Sequence, residues 1–383
     1  MKELKMVSKS VCVIVLILVL FSTCGFFNNK GRFVRINLEP QDHNQPVKLN
    51  DNEVFFPGGS YNFEKKGYDT AKIYNIEKQE MKDTHATMNV PRSSYGAIKY
   101  DDNHILVVGG SCSNLKSTNL MECSKVAEVY DIKKNKFTRI MDTKLSYLFE
   151  IHTILLHNNC VFIYSKGLFE IFKPQNNTFS LIVKPKMHEF KYTSGEKYVL
   201  PLCTNYRYLQ SSVKLLNEKE ILIEGISSRP TTYLVEILNM NTGNVRKIED
   251  TKGLPIHEPI RFKDGSLLYI GAGKDRKKVE FYDAVRGQYI NMPDSPKALA
   301  GQNLLLDNGT ILVTYGTIDS GNLFKRSVIL LHAIYDYKKN KVYHWKTTSN
   351  DYYSPYLIPL RNAVLIVGYK TNFASSETML YKY

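Results

Sequence analysis

Met88-Asn-Val-Pro-Arg92, Tyr95-Gly-Ala-Ile-Lys-Tyr100, Asp101-Asp-Asn103, His104-Ile-Leu-Val-Val-Gly109-Gly110, Val126-Ala-Glu-Val-Tyr130-Asp131 and Lys136-Phe137-Thr-Arg-Ile140 follow one another along residues 88–140. Short β-rich runs parted by Asp, Asn and Gly turns predict four antiparallel strands in one meandering sheet. Such a sheet is apolar on both faces and cannot stand alone, so the pattern should repeat along the chain.

It does. Tyr130 precedes Phe137 by seven positions, and the same spacing recurs as Tyr74/Met81, Phe172/Phe179, Leu238/Val245, Tyr282/Tyr289 and Tyr335/Val342. Each pair follows a hairpin of apolar strand, short polar turn and apolar strand. The turns centre on Asn50-Asp51-Asn52, Asp101-Asp-Asn103, His157-Asn-Asn159, Asn217-Glu-Lys219, Lys263-Asp-Gly265, Asp307-Asn-Gly309 and Leu360-Arg-Asn362. Seven hairpins thus accompany six complete pairs, and the seventh unit stops at Leu380-Tyr381-Lys-Tyr383 with no fourth strand. Gly31-Arg-Phe33-Val-Arg35-Ile36 precedes the first hairpin and reads like the fourth strand Lys136–Ile140. An N-terminal strand that completes the last blade would leave no open sheet edge at the seam. The expected fold is therefore all-β, a seven-bladed β-propeller closed by its N-terminal strand.

The second unit, with Met88-x-x-Pro-Arg92, Gly109-Gly110, Tyr130-Asp131 and an aromatic seven residues on, resembles a kelch repeat. The first is a fair match through Gly58-Gly59 and Tyr74. The others are degraded, retaining Lys166-Gly167, Gly225, Gly271-x-Gly273, Gly316 and Gly368, and the aromatic that is commonly Trp in that family is never Trp here. The resemblance spans nearly all of residues 31–383. It implies a fold, and it leaves function open between binding scaffolds and a few enzymes.

Residues 1–23 read as an export signal: Lys2, Lys5 and Lys9 precede the apolar core Val11–Phe21. Leu20-Phe-Ser-Thr-Cys24 resembles a bacterial lipobox, although Phe21 and Thr23 depart from its small-residue pattern. Lipoprotein, simple secretion and an uncleaved anchor are the three readings, and all place the propeller outside the cytoplasm, at the cell envelope or surface. With Cys24 acylated, residues 24–30 form a short tether, and the six residues after Cys24 reach at most about 20 Å.

The formal charge is +14, and removal of residues 1–23, with three Lys and one Glu, leaves +12. Such an excess suits an anionic glycan or protein partner, and it also accompanies a composition rich in Lys, Asn, Ile and Tyr. Nucleic acid is not an expected partner. Cys112 and Cys123 bracket one loop of the second blade, and an oxidising compartment would let them pair. Neither a metal nor a cofactor is expected, since their spacing fits no common zinc pattern.

The strands alternate in direction, so the turns between first and second and between third and fourth strands share one face. The remaining loops share the other, and there the extra chain gathers: Ser60–Asp69, Ser111–Ser124, Thr317–Arg326 and the insert Lys184–Tyr208. The insert mixes cations with tyrosines, and Lys186, Lys191, Tyr192, Tyr206 and Arg207 are its candidate contacts for sugars or anions. A second candidate is the channel mouth. Gln45, Gly96, His152, Ser212, Glu258, Gln302 and Pro355 occupy one register near the start of each innermost strand. His152 and Glu258 could serve there as an acid/base pair. A copper radical oxidase would need two His and a Cys joined to Tyr at that mouth, and only His152 falls in the ring. The leading expectation is a non-catalytic binding or scaffold module for a glycan or protein. The alternative is a carbohydrate-active enzyme, of the sugar epimerase, mutarotase or oxidase type, with its site at the channel mouth.

Overall fold

The computed structural model describes residues 32–36, 45–58, 69–111, 123–148, 150–191, 197–205, 208–227, 233–248, 259–272, 276–283, 285–286, 288–299, 301–319, 327–350, 352–370 and 376–383. Among these residues the strands form seven four-stranded antiparallel sheets and one two-stranded hairpin. The sheets are the seven blades of a propeller. Their first strands are Val47–Lys48, Gly96–Lys99, His152–Leu155, Tyr208–Asn217, Ile260–Arg261, Gln302–Leu305 and Tyr352–Leu360. Those strands adjoin their counterparts from the first blade to the fourth and from the fifth to the seventh, which places them innermost. The outer strand of the seventh sheet is Arg32–Ile36, which pairs antiparallel with Ser376–Lys382, Arg32 opposite Lys382 and Ile36 opposite Thr378.

The seven-residue spacing is a cross-strand pair. Tyr74 lies opposite Met81, Tyr130 opposite Phe137, Phe172 opposite Phe179, Leu238 opposite Val245, Tyr282 opposite Tyr289 and Tyr335 opposite Val342. The turn between them is fixed by local chemistry. Asn75, Asp131, Asn239, Asp283 and Asp336 each accept a bond from the backbone amide three residues on, the behaviour that places Asx residues in turns. Gln79, Asn135, Asn177, Gly243 and Asn340 then adopt positive φ, 48–72°, which returns the chain. Two of those asparagines also tie blades together. Asn135 accepts from the Tyr130 hydroxyl and donates to Thr84 O of the first blade, at 2.7 and 2.6 Å. Asn340 does the same with Tyr335 and Asp294 O, at 2.9 and 3.1 Å.

The core lies between sheets. Phe55 of the first blade stacks on Tyr130 of the second with ring centroids 4.4 Å apart, in a cluster holding Ala97, Ile105, Val107 and Phe137. Leu106, Val108, Ile151, Val161 and Phe172 fill the next space. Ile36, Phe56, Leu365 and Leu380 fill that between the seventh and first blades. Gly96 has a packing role: a Cβ there would come within 2.6 Å of Ile151 Cγ2 and 2.9 Å of Thr153 Cγ2, so its absence lets two inner strands approach.

Two expectations about loops need correcting. The expected loop Thr317–Arg326 is shorter, because Ile311–Asp319 and Ser327–Asp336 pair as far as Asp319 opposite Ser327. The β-branched run through Thr317 and Ile318 continues the ladder against Val328 and Ile329. The insert Lys184–Tyr208 contains the hairpin Lys186–Lys191 with Lys197–Leu202, outside the seven blades.

Candidate functional site at the channel mouth

Five predicted ring residues stand where register places them, Gly96 among them as the first residue of its strand, opposite Val108. His152 and Gln302 are the first residues of their strands, opposite Tyr164 and Thr314. Ser212 lies within Tyr208–Asn217, opposite Glu224. Gln45 precedes the first inner strand, and its Oε1 accepts a 3.1 Å bond from Ala97 N of the next blade. Pro355 falls at the register shift between Tyr353 and Tyr356, and Glu258 lies outside the described residues.

Cross-strand partners share a sheet face, so each polar mouth residue has a second residue behind it. The His152 and Tyr164 rings are 6.1 Å apart, and Tyr164 is fully buried. Burial raises its hydroxyl well above the ordinary range, partly offset by Ser211 of the fourth blade. Glu224, behind Ser212, is 2% exposed. In the sixth blade Thr314 is backed by His332, which is fully buried; loss of hydration brings its pKa down to about 4, leaving a neutral imidazole. Asn303, next to Gln302, has both amide atoms buried with no hydrogen-bond partner among the described residues.

The inner strands are bound to one another by polar contacts. Lys99 Nζ donates to Leu49 O at 2.9 Å and Thr153 Oγ1 to Ala97 O at 3.3 Å. Lys214 donates to Pro259 O, and Arg261 to Leu215 O and Leu216 O.

A set of buried carboxylates, which the hydrophobic pattern had hidden, positions the linkers that lead into the inner strands. Glu128, Glu170 and Glu236 are fully buried on third strands, two residues before the Tyr130, Phe172 and Leu238 positions. Glu128 accepts from Asn89 N at 2.8 Å and Val90 N at 3.3 Å, and from the buried Arg92 at 3.0 Å. Glu170 accepts from Lys144 N at 3.1 Å and Leu145 N at 3.4 Å. Glu236 accepts from Asn205 N and Nδ2 at 3.2 and 2.7 Å. A glutamate recurring at one position inside apolar strands was the available signal.

The insert's candidates are less gathered. Lys186 is exposed at the start of the hairpin, beside Met187 at 66% exposure. Lys191 takes the register position opposite Lys197. Tyr192, Tyr206 and Arg207 lie outside the described residues, as do Cys24 and Cys112. Cys123 is buried and disulfide-bonded. On the opposite, short-turn face a groove of about 600 Å³ lies between the first and seventh blades, lined by Asn50, Asp51, Arg361 and Lys382 among others. Asp51 is already ion-paired to Lys48 at 2.7 Å there.

No family model and no curated protein matches the chain. Among solved structures it is similar to a fungal alcohol oxidase of the AA5 family, determined in complex with copper. The identity is 12% and the TM-score 0.62, over 92% of this chain and 76% of that one. At that identity the likeness concerns the fold alone. Among the described residues no three His, Cys, Asp or Glu side chains gather as a metal site. Cys160 and Cys203 are free thiols within an apolar cluster holding Leu156, Phe162 and Phe169.

Proposed function

We propose that this chain is a carbohydrate-directed propeller protein with its site at the channel mouth, where His152 is the acid–base group of a sugar-active enzyme. One observation carries the reading: His152, Ser212 and Gln302 stand at equivalent places in separate blades, each backed by a second polar residue. Sugars present many hydroxyls in a ring, and a circle of amide, hydroxyl and imidazole groups matches them as donors and acceptors. An imidazole changes charge near neutrality and is suited to proton transfer at that pH. Ring opening needs no oxidant or reductant: a base takes the anomeric hydroxyl proton as that oxygen becomes the C1 carbonyl, the bond from C1 to the ring oxygen breaks, and an acid supplies a proton to the ring oxygen; mutarotation follows when the ring closes on the other face. Glu258 is the proposed partner of His152 in that exchange.

The test is turnover of a panel of reducing sugars by the purified protein. His152→Ala is expected to lower the rate about 10²–10⁴-fold with little change in melting temperature. Anomerisation that continues unchanged in the variant would remove His152 from the chemistry.

A second reading is a non-catalytic module that binds an anionic glycan or protein through the insert. The exposed Lys186 and Met187, on a hairpin outside the blades, favour it. Binding without turnover, lost on changing Lys186, Lys191, Tyr192, Tyr206 or Arg207 and indifferent to His152, would establish it instead.

Display outside the cytoplasm belongs to the same proposal, with an N-terminal lipid on Cys24 and a Cys112–Cys123 disulfide. Cys24→Ser is expected to abolish incorporation of labelled fatty acid and to move the protein from the detergent to the aqueous phase. Labelling that survives the substitution would locate the anchor elsewhere.

A further inference from the structure

Glu128 and Glu170 each hold the linker ahead of an inner strand by two backbone amides, and they differ in one further partner. In the second blade Glu128 meets two linker amides and, three residues beyond Asn89, the guanidinium of Arg92. In the third blade Glu170 meets the amides of Lys144 and Leu145, and three residues beyond Lys144 stands Tyr147 in place of the arginine. No ion pair to Glu170 is present among the described residues. The linker residues it holds, Lys144 and Leu145, lie seven to eight positions ahead of His152.

We propose that Glu170 is a positioning residue for the channel mouth: its carboxylate holds the linker that delivers His152, and uptake of a proton in mildly acid medium releases that linker. The inference rests on the channel-mouth reading only for its consequence on ligand; the switch itself stands on the linker geometry.

Besides the two amides, the groups facing Glu170 are the fully buried Tyr147, the exposed Lys144 ammonium and Cys203, with the apolar Ile163 opposite on the neighbouring strand. Burial raises the Glu170 carboxyl above its ordinary value, against the pull of the Lys144 and Leu145 amides and of Tyr147. Tyr147 is also raised by burial, and Cys203 is pushed up to about 11, so both keep their protons in the range concerned. Glu170 is the member of that set that changes charge as the medium turns acid. A carboxylate offers an acceptor oxygen to each amide. Once protonated, one oxygen becomes a donor and a poorer acceptor, so the bond to one of the two part-buried amides weakens.

The sign matters. A carboxyl whose folded pKa lies above its unfolded value takes a proton more readily when folded. Its own contribution to stability therefore rises as pH falls through the window between the two values. The acid form is a folded protein with a loosened linker, which separates this switch from acid denaturation. The linker's other ties, Thr143 N and Oγ1 to Lys125 O, Thr143 Oγ1 to Leu145 O, Tyr147 N to Ser124 O and Gly110 N to Tyr147 O, are made by amides, a hydroxyl and carbonyls that do not titrate.

Glu170→Gln imitates the protonated group at every pH. Hydrogen exchange followed by mass spectrometry on peptides spanning residues 141–152, corrected for intrinsic rates, is compared near neutrality and at about pH 5. Wild-type protection is expected to fall about tenfold on acidification, the worth of one hydrogen bond, while Glu170→Gln shows the low value at both. At neutral pH the His152 ring-proton resonance, assigned through His152→Ala, should be displaced in Glu170→Gln, a change that loss of stability alone does not cause. Equal wild-type protection at the two pH values, persisting pH dependence in Glu170→Gln, or an unmoved His152 resonance would each overturn the proposal. Should Glu170→Gln fail to fold, the wild-type pair of measurements still decides. A sugar panel run on the same samples separates the two readings: a switch in exchange without sugar binding or turnover fails the channel-mouth function and leaves the Glu170 device standing.

Discussion

Glu128→Gln is expected to lower the stability of the whole ring by about 3–5 kcal/mol, the cost of breaking a buried ion pair from one side. Both partners are fully buried, and the pair is 3.0 Å long. The charge left behind is Arg92, which would keep only carbonyl acceptors, Val126 O at 3.0 Å and the weaker Val107 O at 3.5 Å. The lost carboxylate also served Asn89 N, Asn89 Nδ2 and Val90 N, and an amide in its place offers one acceptor oxygen to three donors. For the same reason Arg92→Met with Glu128→Leu should not recover the full stability, although removing both charges relieves the unpaired cation: the linker amides would remain unsatisfied. Urea unfolding of the three proteins measures this. A Glu128→Gln loss below about 1 kcal/mol, the worth of an exposed pair, would show that the pair is not held dry as its burial indicates.

That pair also marks where sequence reading stops. The blade count was legible because the Tyr130-to-Phe137 spacing is a consequence of strand register: two residues facing each other across a four-residue turn must lie a fixed distance apart in the chain. The turns were legible because Asn and Asp place their side chains against their own backbone. The positions of His152, Ser212 and Gln302 followed from the same register. The buried carboxylates were not legible from apolar patterning, which treats a Glu inside a strand as a solvent-facing residue. Arg92 was read as part of a repeat signature, and nothing in its spacing said that it is buried against a glutamate 36 residues away.

Removing residues 31–39 is expected to destabilise every blade, whereas removing residues 1–30 should leave the melting temperature of the propeller unchanged. Arg32–Ile36 supplies five register partners to Ser376–Lys382. Without it Ser376–Lys382 would end the seventh sheet as an unpaired edge, the kind of surface that recruits other chains. Ile36, 6% exposed, and the partly buried Val34 pack into the cluster that contains Phe56 and Tyr74 of the first blade with Leu365 and Leu380 of the seventh. Burying the Ile36 side chain alone contributes about 1.5–3 kcal/mol, and its loss opens the space between the two blades. Each blade leans on its neighbours, so a defect at one contact lowers the cooperativity of the whole array. Calorimetry with size-exclusion chromatography should give an early, broadened transition and soluble aggregates for the chain beginning at residue 40, and a single sharp transition for that beginning at residue 31. Matching transitions in the two proteins would mean that the N-terminal strand is an accessory to the seventh sheet, and that the ring is held by the six other blades and the Tyr352–Leu360 to Ser376–Lys382 ladder without it.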